Sequence, residues 1–175
     1  MIKSGSFLGV DPGAKGGLAI LREDGSAIAF EMPDTPLQLA QLFHKHIISE
    51  QIDHAIIEAL HARPGNGSIA TFKLGRSCGL IIGMLELAGI KYDEMQPRSW
   101  QKSLGITARY KPPKVRGALI NYPPEETYDQ FKRRLLATSL KLFPRMPLTL
   151  STCDSVLIAE VCRRIHGGFL GRSIR

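Results

Sequence analysis

The sequence contains little cysteine and no long hydrophobic run, and each of these absences excludes a class of protein. Its three cysteines are odd in number and form no C-x-x-C pair, so neither a disulfide framework nor a cysteine zinc site is expected. No stretch approaches the roughly 20 continuous apolar residues that cross a bilayer, and the N-terminus lacks the apolar core of a signal peptide. We therefore expect a cytoplasmic protein with no membrane partner.

Acidic residues are also few relative to basic ones. The chain has 16 Asp and Glu against 23 Lys and Arg, a formal net charge of +7 and a pI near 9.5. This balance suits a polyanionic partner such as nucleic acid. The basic residues crowd the later half of the chain: Arg98, Lys102, Arg109, Lys111, Lys114, Arg116, Lys132, Arg133, Arg134 and Lys141. A one-sided basic face is therefore expected.

The turn G-A-K-G-G around Lys15 lacks the G-x-x-x-x-G-K-[ST] frame of a phosphate loop, so ATP binding is not inferred from it. Trp100, the single tryptophan, is expected to pack in the core rather than to stack on a base. With 175 residues and 43% hydrophobic residues, the chain suits one compact domain over residues 1–175.

Periodicity and turn signals predict an α/β order. Strands are expected at 6–11, 17–21, 26–32, 53–60 and 90–97, and helices at 35–50, 68–89, 125–143 and 151–166. Residues 98–124 show little periodicity, and a basic, Pro-rich insertion with limited structure is expected around 106–130. The order β-β-β-α-β-α-β predicts a five-stranded mixed sheet flanked by helices, the ribonuclease H-like topology.

Three carboxylates stand where this topology brings segments together. Asp11 and Glu58 close the first and fourth strands, which are neighbours in such a sheet. Asp154 shares a helical stripe with Ile158, Val161 and Ile165, which is expected to face the sheet. Three gathered acids repel one another unless cations neutralise them, and oxygen ligands select Mg²⁺ or Mn²⁺. Two such ions suit hydrolysis of a phosphodiester.

Each acid also has a structural interpretation without chemistry. Asp11 before Pro12-Gly13 is a common turn former. Glu58 at a strand end is compatible with solvent exposure or a lysine partner. Ser151 and Asp154 match the S-x-x-D capping box of a helix start. The conjunction of the three acids favours the metal site.

Glycines recur at Gly75, Gly79 and Gly83 on one face of the predicted helix 68–89. Each costs about 1 kcal/mol relative to alanine within a helix, so the bare face indicates close approach of another backbone. That backbone belongs either to the chain's own sheet or helices, or to a second subunit.

Four segments resemble the RuvC-type Holliday junction resolvases, particularly their bacteriophage relatives: "GVDPGAKGGLAI", "IIEALHA" followed by "FKLGRSCGLIIG", "QPRSWQKSLG" and "CDSVLIAEV". The resemblance covers most of the chain outside about residues 106–148. It implies a homodimer, with the helix over 69–88 helping to pair the subunits. It also implies Mg²⁺-dependent symmetric nicking of four-way DNA junctions in a bacterial or phage-infected cytoplasm. Asp11, Glu58 and Asp154 match three of the family's four catalytic acids.

The fourth acidic position does not match, because Ser151 stands where the family places an acid or histidine. A neutral hydroxyl is a weaker ligand, so Ser151 is a candidate for a loosely held or water-mediated metal contact. The family's junction-wedging aromatic is also replaced, by His61 and Arg63. The candidate DNA-binding residues are Lys15, His61, Arg63, Arg76, Arg98, Lys102, Arg109, Lys111 and Lys114.

Other functions share parts of this pattern. The same fold suits a YqgF-like nuclease acting on RNA, or a nuclease for flaps and other branches. Ser151 motivates a junction-binding protein with weak or no cleavage. A sugar-kinase or actin-like ATPase is disfavoured, because 175 residues do not supply its two lobes.

Overall fold

The computed structural model describes residues 5–59, 67–113 and 123–167. Within these ranges, five strands form one sheet: β1 (Ser6–Asp11), β2 (Gly17–Arg22), β3 (Ala27–Glu31), β4 (Ile52–Glu58) and β5 (Tyr92–Met95). The α-helices are α1 (Pro36–Leu42), α2 (Ser68–Leu87), α3 (Pro97–Ser103), α4 (Tyr128–Leu142) and α5 (Cys153–His166). The predicted single domain over 1–175 extends beyond these ranges and stays a prediction.

The strand order is β3-β2-β1-β4-β5, so β1 lies beside β4, which follows it in the chain only after β2, β3 and α1. β1, β2 and β3 pair antiparallel as a meander, whereas β4 is parallel to both β1 and β5. The predicted mixed sheet, and the neighbouring positions of the first and fourth strands, are thereby confirmed.

Alternation along the strands divides the core into two layers. Leu8 and Val10 of β1 face α1 and α2, where Ile81 and Leu85 of α2 are fully buried. Phe7 and Ile56 face the opposite side and pack with residues of α3, α4 and α5. The helices therefore cover both faces of the sheet, and residues 7, 9 and 11 of β1 belong to the α5 side.

The predicted helix over 35–50 is present but changes its geometry. A capping box between Thr35 and Gln38 starts α1. The chain then continues as a π-turn, Phe43–Ile47, and a 3-10 turn, Ile48–Glu50. Gln51, with a left-handed φ of 50°, ends it before β4 begins.

Two expectations about the second half of the chain are wrong in part. The segment 98–124 does not lack structure at its start, because α3 runs from Pro97 to Ser103 and Trp100 anchors it in the core with 0% exposure. Residues 104–113, which include the start of the insertion expected around 106–130, form no helix or strand, as expected. In α5, Ile158 and Val161 are buried as expected, whereas Ile165 is 54% exposed and does not face the sheet. His61, Arg63, Lys114 and Arg116 lie outside the described residues.

Candidate active site

Asp11 and Glu58 lie side by side at the carboxyl ends of β1 and β4. The parallel register pairs Val10 with Ile57, so the residues that follow them are neighbours on strands about 4.8 Å apart. The turn after Asp11 wraps closely around its carboxylate, since the Gly13 N–H donates to Asp11 Oδ1 at 3.1 Å. A Cβ at position 16 would lie 2.2 Å from the Asp11 carbonyl oxygen, so only glycine fits there.

Asp154 reaches the same place from the first turn of α5. The helix sits directly on β1, because a Cβ at Gly9 would lie 2.1 Å from the Ser155 carbonyl oxygen and 2.2 Å from the Ala159 nitrogen. This backbone contact brings the start of α5 over the carboxyl end of β1. Asp11 and Asp154 are both buried, with 9% and 7% exposure.

The electrostatics of the three acids show that they are close enough to repel one another. Burial, together with the charges of Asp11 and Asp154, raises the pKa of Glu58 to about 7. Burial and the Asp154 charge likewise raise the pKa of Asp11. The sequence-predicted gathering of three carboxylates from distant segments is therefore present in the fold.

Sequence reasoning missed the cation of this cluster as a site residue. The Lys132 Nζ, on α4, donates to Asp154 Oδ2 at 2.7 Å, and both side chains are nearly buried. Burial by itself lowers the pKa of Lys132, but the charge and hydrogen bond of Asp154 raise it overall. Lys132 shares a face of α4 with Leu135 and Ser139, both buried. A lysine on an otherwise buried helix face is the sequence feature that could have indicated a buried acidic partner.

Trp100 is a second site residue whose role the sequence did not indicate. It packs in the core as expected, but its Nε1 also donates to Glu58 Oε2 at 2.8 Å. This bond favours the ionised carboxylate, in opposition to burial, and fixes the direction of one oxygen. Helix α3, which supplies Trp100, therefore helps to shape the site.

The structural interpretations of the acids have different outcomes. The turn-forming role of Asp11 is confirmed by its bond from Gly13. Glu58 takes Trp100, rather than a lysine, as its hydrogen-bond partner. The capping box at Ser151 is wrong, because the N-cap of α5 is Thr152 and makes no side-chain cap hydrogen bond. Instead, Asp154 bonds to Lys132.

The donor set of the cluster fits hard divalent cations. Three carboxylates converge, and all of their ligand atoms are oxygens. Among the described residues, Lys132 donates to one of them, Asp154, and so offsets part of the negative charge of the cluster. Such sets suit Mg²⁺ and Mn²⁺ better than zinc. Ser151, half-exposed just before α5, has its backbone N–H bonded to Thr149 Oγ1, and its metal contact stays a prediction.

The candidate DNA-binding residues lie at different places around this site. Lys15 is exposed in the turn that follows Asp11, and Arg76 lines an open cleft beside Pro12 and Ala14. Arg98 and Lys102 are exposed on α3. Arg109 and Lys111 pair with Glu125, at 3.0 and 3.8 Å, so part of their charge is already compensated. Lys15 and Arg76 thus lie beside the turn that follows Asp11.

Helix α2 carries an apolar, glycine-lined surface that the described residues leave uncovered. Among the described residues, a Cβ at Gly75, Gly79 or Gly83 would meet nothing within 4 Å, so these glycines pack against no other part of the described chain. Ile69 and Phe72 are each 72% exposed, and Leu87 is 90% exposed. We call the surface formed by Ile69, Phe72, Gly75, Gly79, Gly83 and Leu87 the glycine face of α2. Ser77 ties the helix to the site by donating to the Pro12 carbonyl at 3.2 Å.

By length and composition alone, α2 is apolar enough to cross a membrane, with a mean hydropathy of 1.2. Ile81 and Leu85 are fully buried against the sheet, whereas most of the helix is left uncovered by the described residues. The expected absence of a membrane partner stays a prediction.

The sheet order and the helices on both faces define a ribonuclease H-like α/β fold. Thermus thermophilus RuvC, in a solved complex with a Holliday junction substrate, is similar in structure: the TM-score is 0.55, with 12% identity over 93% of this chain and 96% of that chain. A second T. thermophilus RuvC structure gives 0.51 and 11% over the same shares. No protein-family model and no curated protein matches the sequence. The likeness at this identity establishes the RuvC-like fold.

One pH dependence follows from the raised pKa of Glu58. Without divalent metal, the folded protein holds a proton at Glu58 up to about pH 7, whereas the unfolded chain loses it near the ordinary glutamate pKa of 4.5. Stability is therefore lost as pH rises through this window, by at most about 3 kcal/mol. Urea unfolding in chelator at about pH 5 and about pH 8 measures the loss, and Glu58→Gln removes it.

The matched control for this experiment is Glu94→Gln, on the exposed edge strand β5, which is expected to keep the wild-type slope. Equal slopes for wild type and Glu58→Gln would contradict a raised pKa at Glu58.

Proposed function

We propose that the chain is a divalent-metal-dependent endonuclease that resolves four-way DNA junctions by symmetric phosphodiester hydrolysis. The observation that carries the proposal is the convergence of three carboxylates, of which Asp11 and Asp154 are buried and Glu58 is partly buried. The RuvC-like fold supports it, since one of the similar structures is RuvC with a Holliday junction substrate. The positive net charge of the chain suits a DNA substrate.

The three carboxylates would hold two Mg²⁺ ions, with Mn²⁺ as a substitute, and Ser151 is a further candidate contact. Bound ions supply activation of a water molecule and neutralisation of the charge that develops on the leaving oxygen. Trp100 orients one oxygen of Glu58, and Lys132 holds Asp154 in place.

Basic residues around the Asp11 turn would position the DNA backbone. Lys15 and Arg76 flank the site, and Arg98 and Lys102 extend the positive surface along α3. Phosphate contacts of this kind are independent of sequence and weaken as salt rises. Recognition of a branch, rather than of a base sequence, is therefore the form of selectivity that we propose.

The deciding experiment incubates purified protein with a synthetic four-way junction in Mg²⁺, beside matched duplex, flap and RNA substrates. Paired nicks at symmetric positions in the junction are expected, with slower cutting of the other substrates. Preference for RNA or flaps would replace the junction substrate by one of the related nuclease activities. The proposed place of action is the cytoplasm of a bacterial or phage-infected cell.

A junction-binding protein with weak or no cleavage is the second candidate. The bond from Lys132 to Asp154 favours it, because a protein cation already occupies one carboxylate oxygen that a metal would use. Ser151, in place of a fourth acid, points the same way. Tight junction binding without nicks in either Mg²⁺ or Mn²⁺ would select this function.

We also propose that two copies pair through the glycine face of α2, so that two sites meet two equivalent strands. Gly79→Glu places a charge on this face and is expected to weaken the dimer at least about 100-fold, because the carboxylate would be buried against apolar groups. Sedimentation equilibrium measures the change. Ala137→Glu, at an exposed position of α4, is the control and is expected to leave the dimer intact.

A further inference from the structure

A second side-chain cluster lies at the far end of the layer that holds the carboxylates. Alternation along β4 puts His54 on the same face as Glu58, two pleats away. On α5, Asp154 lies in the first turn and His166 is the last residue, about 18 Å further along the helix axis. One end of this strand and helix pair therefore gathers the acids, and the other end brings together His54 and His166.

Asp93 of β5 completes the cluster. Its neighbour in the sheet is Ile56, so its side chain belongs to the same face as His54. Asp93 Oδ2 lies 2.9 Å from His54 Nε2 and 3.1 Å from His166 Nε2. The two imidazole rings stack with centroids 3.5 Å apart and planes 15° apart, so the rings must rotate out of the stack before both Nε2 lone pairs can point to one ion. Three donor atoms from three separate elements thus converge within 4.8 Å of one another.

We propose that His54, Asp93 and His166 form a zinc site distinct from the carboxylate pocket. A tetrahedral zinc ion with ligand bonds of about 2.0–2.1 Å places its ligands about 3.3 Å apart, close to the separations of Asp93 Oδ2 from the two nitrogens. Two imidazoles and one carboxylate suit a transition metal, whereas the all-oxygen pocket suits Mg²⁺. The two sites therefore select different ions.

The surroundings of the cluster provide both access and a structural role. The side chain of Asp93 is 56% exposed and that of His166 is 26% exposed, so an ion and a water ligand can enter from solvent. β5 is a four-residue edge strand, and α5 ends at His166. A shared ion would clamp the end of α5 to two strands, and so stabilise the helix that carries Asp154.

Zinc titration of the metal-stripped full chain, by calorimetry in excess Mg²⁺, tests the site. About one equivalent is expected to bind, and the melting temperature is expected to rise by about 5 °C at a hundredfold excess over Kd. Asp93→Asn and His166→Ala are each expected to weaken binding by more than about 100-fold. Tetrahedral Co²⁺, followed by its visible absorption, gives a signature that does not depend on stability.

His44→Ala removes an exposed histidine outside the cluster and is expected to bind zinc like wild type, as is Glu58→Gln in the other pocket. Absence of saturable zinc binding would overturn the proposal and leave a hydrogen-bonded cluster only. Zinc binding that survives both Asp93→Asn and His166→Ala would overturn it equally. Neither result bears on DNA cleavage, so this proposal and the nuclease proposal fail separately.

Discussion

Asp11→Asn is expected to reduce cleavage of a four-way junction at least about 1,000-fold, while junction binding is retained. The substitution removes the charge at the centre of the carboxylate cluster, where the metal ions would bind, and loss of metal activation of water has effects of this order. Asn Oδ1 can still accept the bond from the Gly13 N–H, so the local turn is kept. Rates of nicking and mobility-shift binding, measured on the same junction, separate chemistry from recognition.

The matched control is Asp24→Asn, which removes an exposed acid from the turn between β2 and β3. It is expected to cut at the wild-type rate. The raised pKa of Asp11 shows that its charge is unfavourable in the metal-free fold. Removing that charge reduces the repulsion among the three carboxylates, so Asp11→Asn is not expected to misfold. Undiminished cutting by Asp11→Asn would refute the assignment of the active site.

The positions of Asp11 and Glu58 could be predicted because they depend on local patterns and one topological rule. Each acid ends a short apolar strand, and the meander followed by a β-α-β crossover makes the first and fourth strands neighbours. A register in which Val10 pairs with Ile57 then brings the acids together without further information. The glycine-rich turn after Asp11 is also explained by the structure, because the backbone at Gly16 lies too close to the Asp11 carbonyl oxygen for any other residue.

Lys132 and Trp100 were harder to predict, because their partners are remote in sequence. Lys132 stands in a run of basic residues that resembles a solvated surface, and its bond to Asp154 depends on how α4 packs beside α5. Trp100 reaches Glu58 from a helix that the Pro- and Lys-rich composition of its segment concealed. The cluster of His54, Asp93 and His166 likewise exists only after three elements are assembled.

Gly9→Val is expected to lower the free energy of unfolding by at least about 3 kcal/mol, or to prevent folding. Position 9 lies where β1 and α5 touch, and a Cβ there would lie 2.1 to 2.8 Å from three backbone atoms of α5. Backbone cannot rotate away as a side chain can, so the helix must lift from the sheet, and overpacking on this scale is strongly destabilising. Urea unfolding of Gly9→Ala, the smaller change, gives a measurable value if the valine variant does not fold.

The consequence of lifting α5 extends to the carboxylate pocket, since Asp11 and Asp154 are carried by the two elements that Gly9 joins. Gly9→Ala is therefore expected to lose metal binding and stability together. Gly75→Ala, measured on the monomer, is the control: its Cβ meets nothing within 4 Å among the described residues, so helix propensity acts there and stability should rise by about 0.5–1 kcal/mol. Unchanged unfolding of Gly9→Ala would mean that α5 does not rest on β1, and the geometry that gathers the acids would then be wrong.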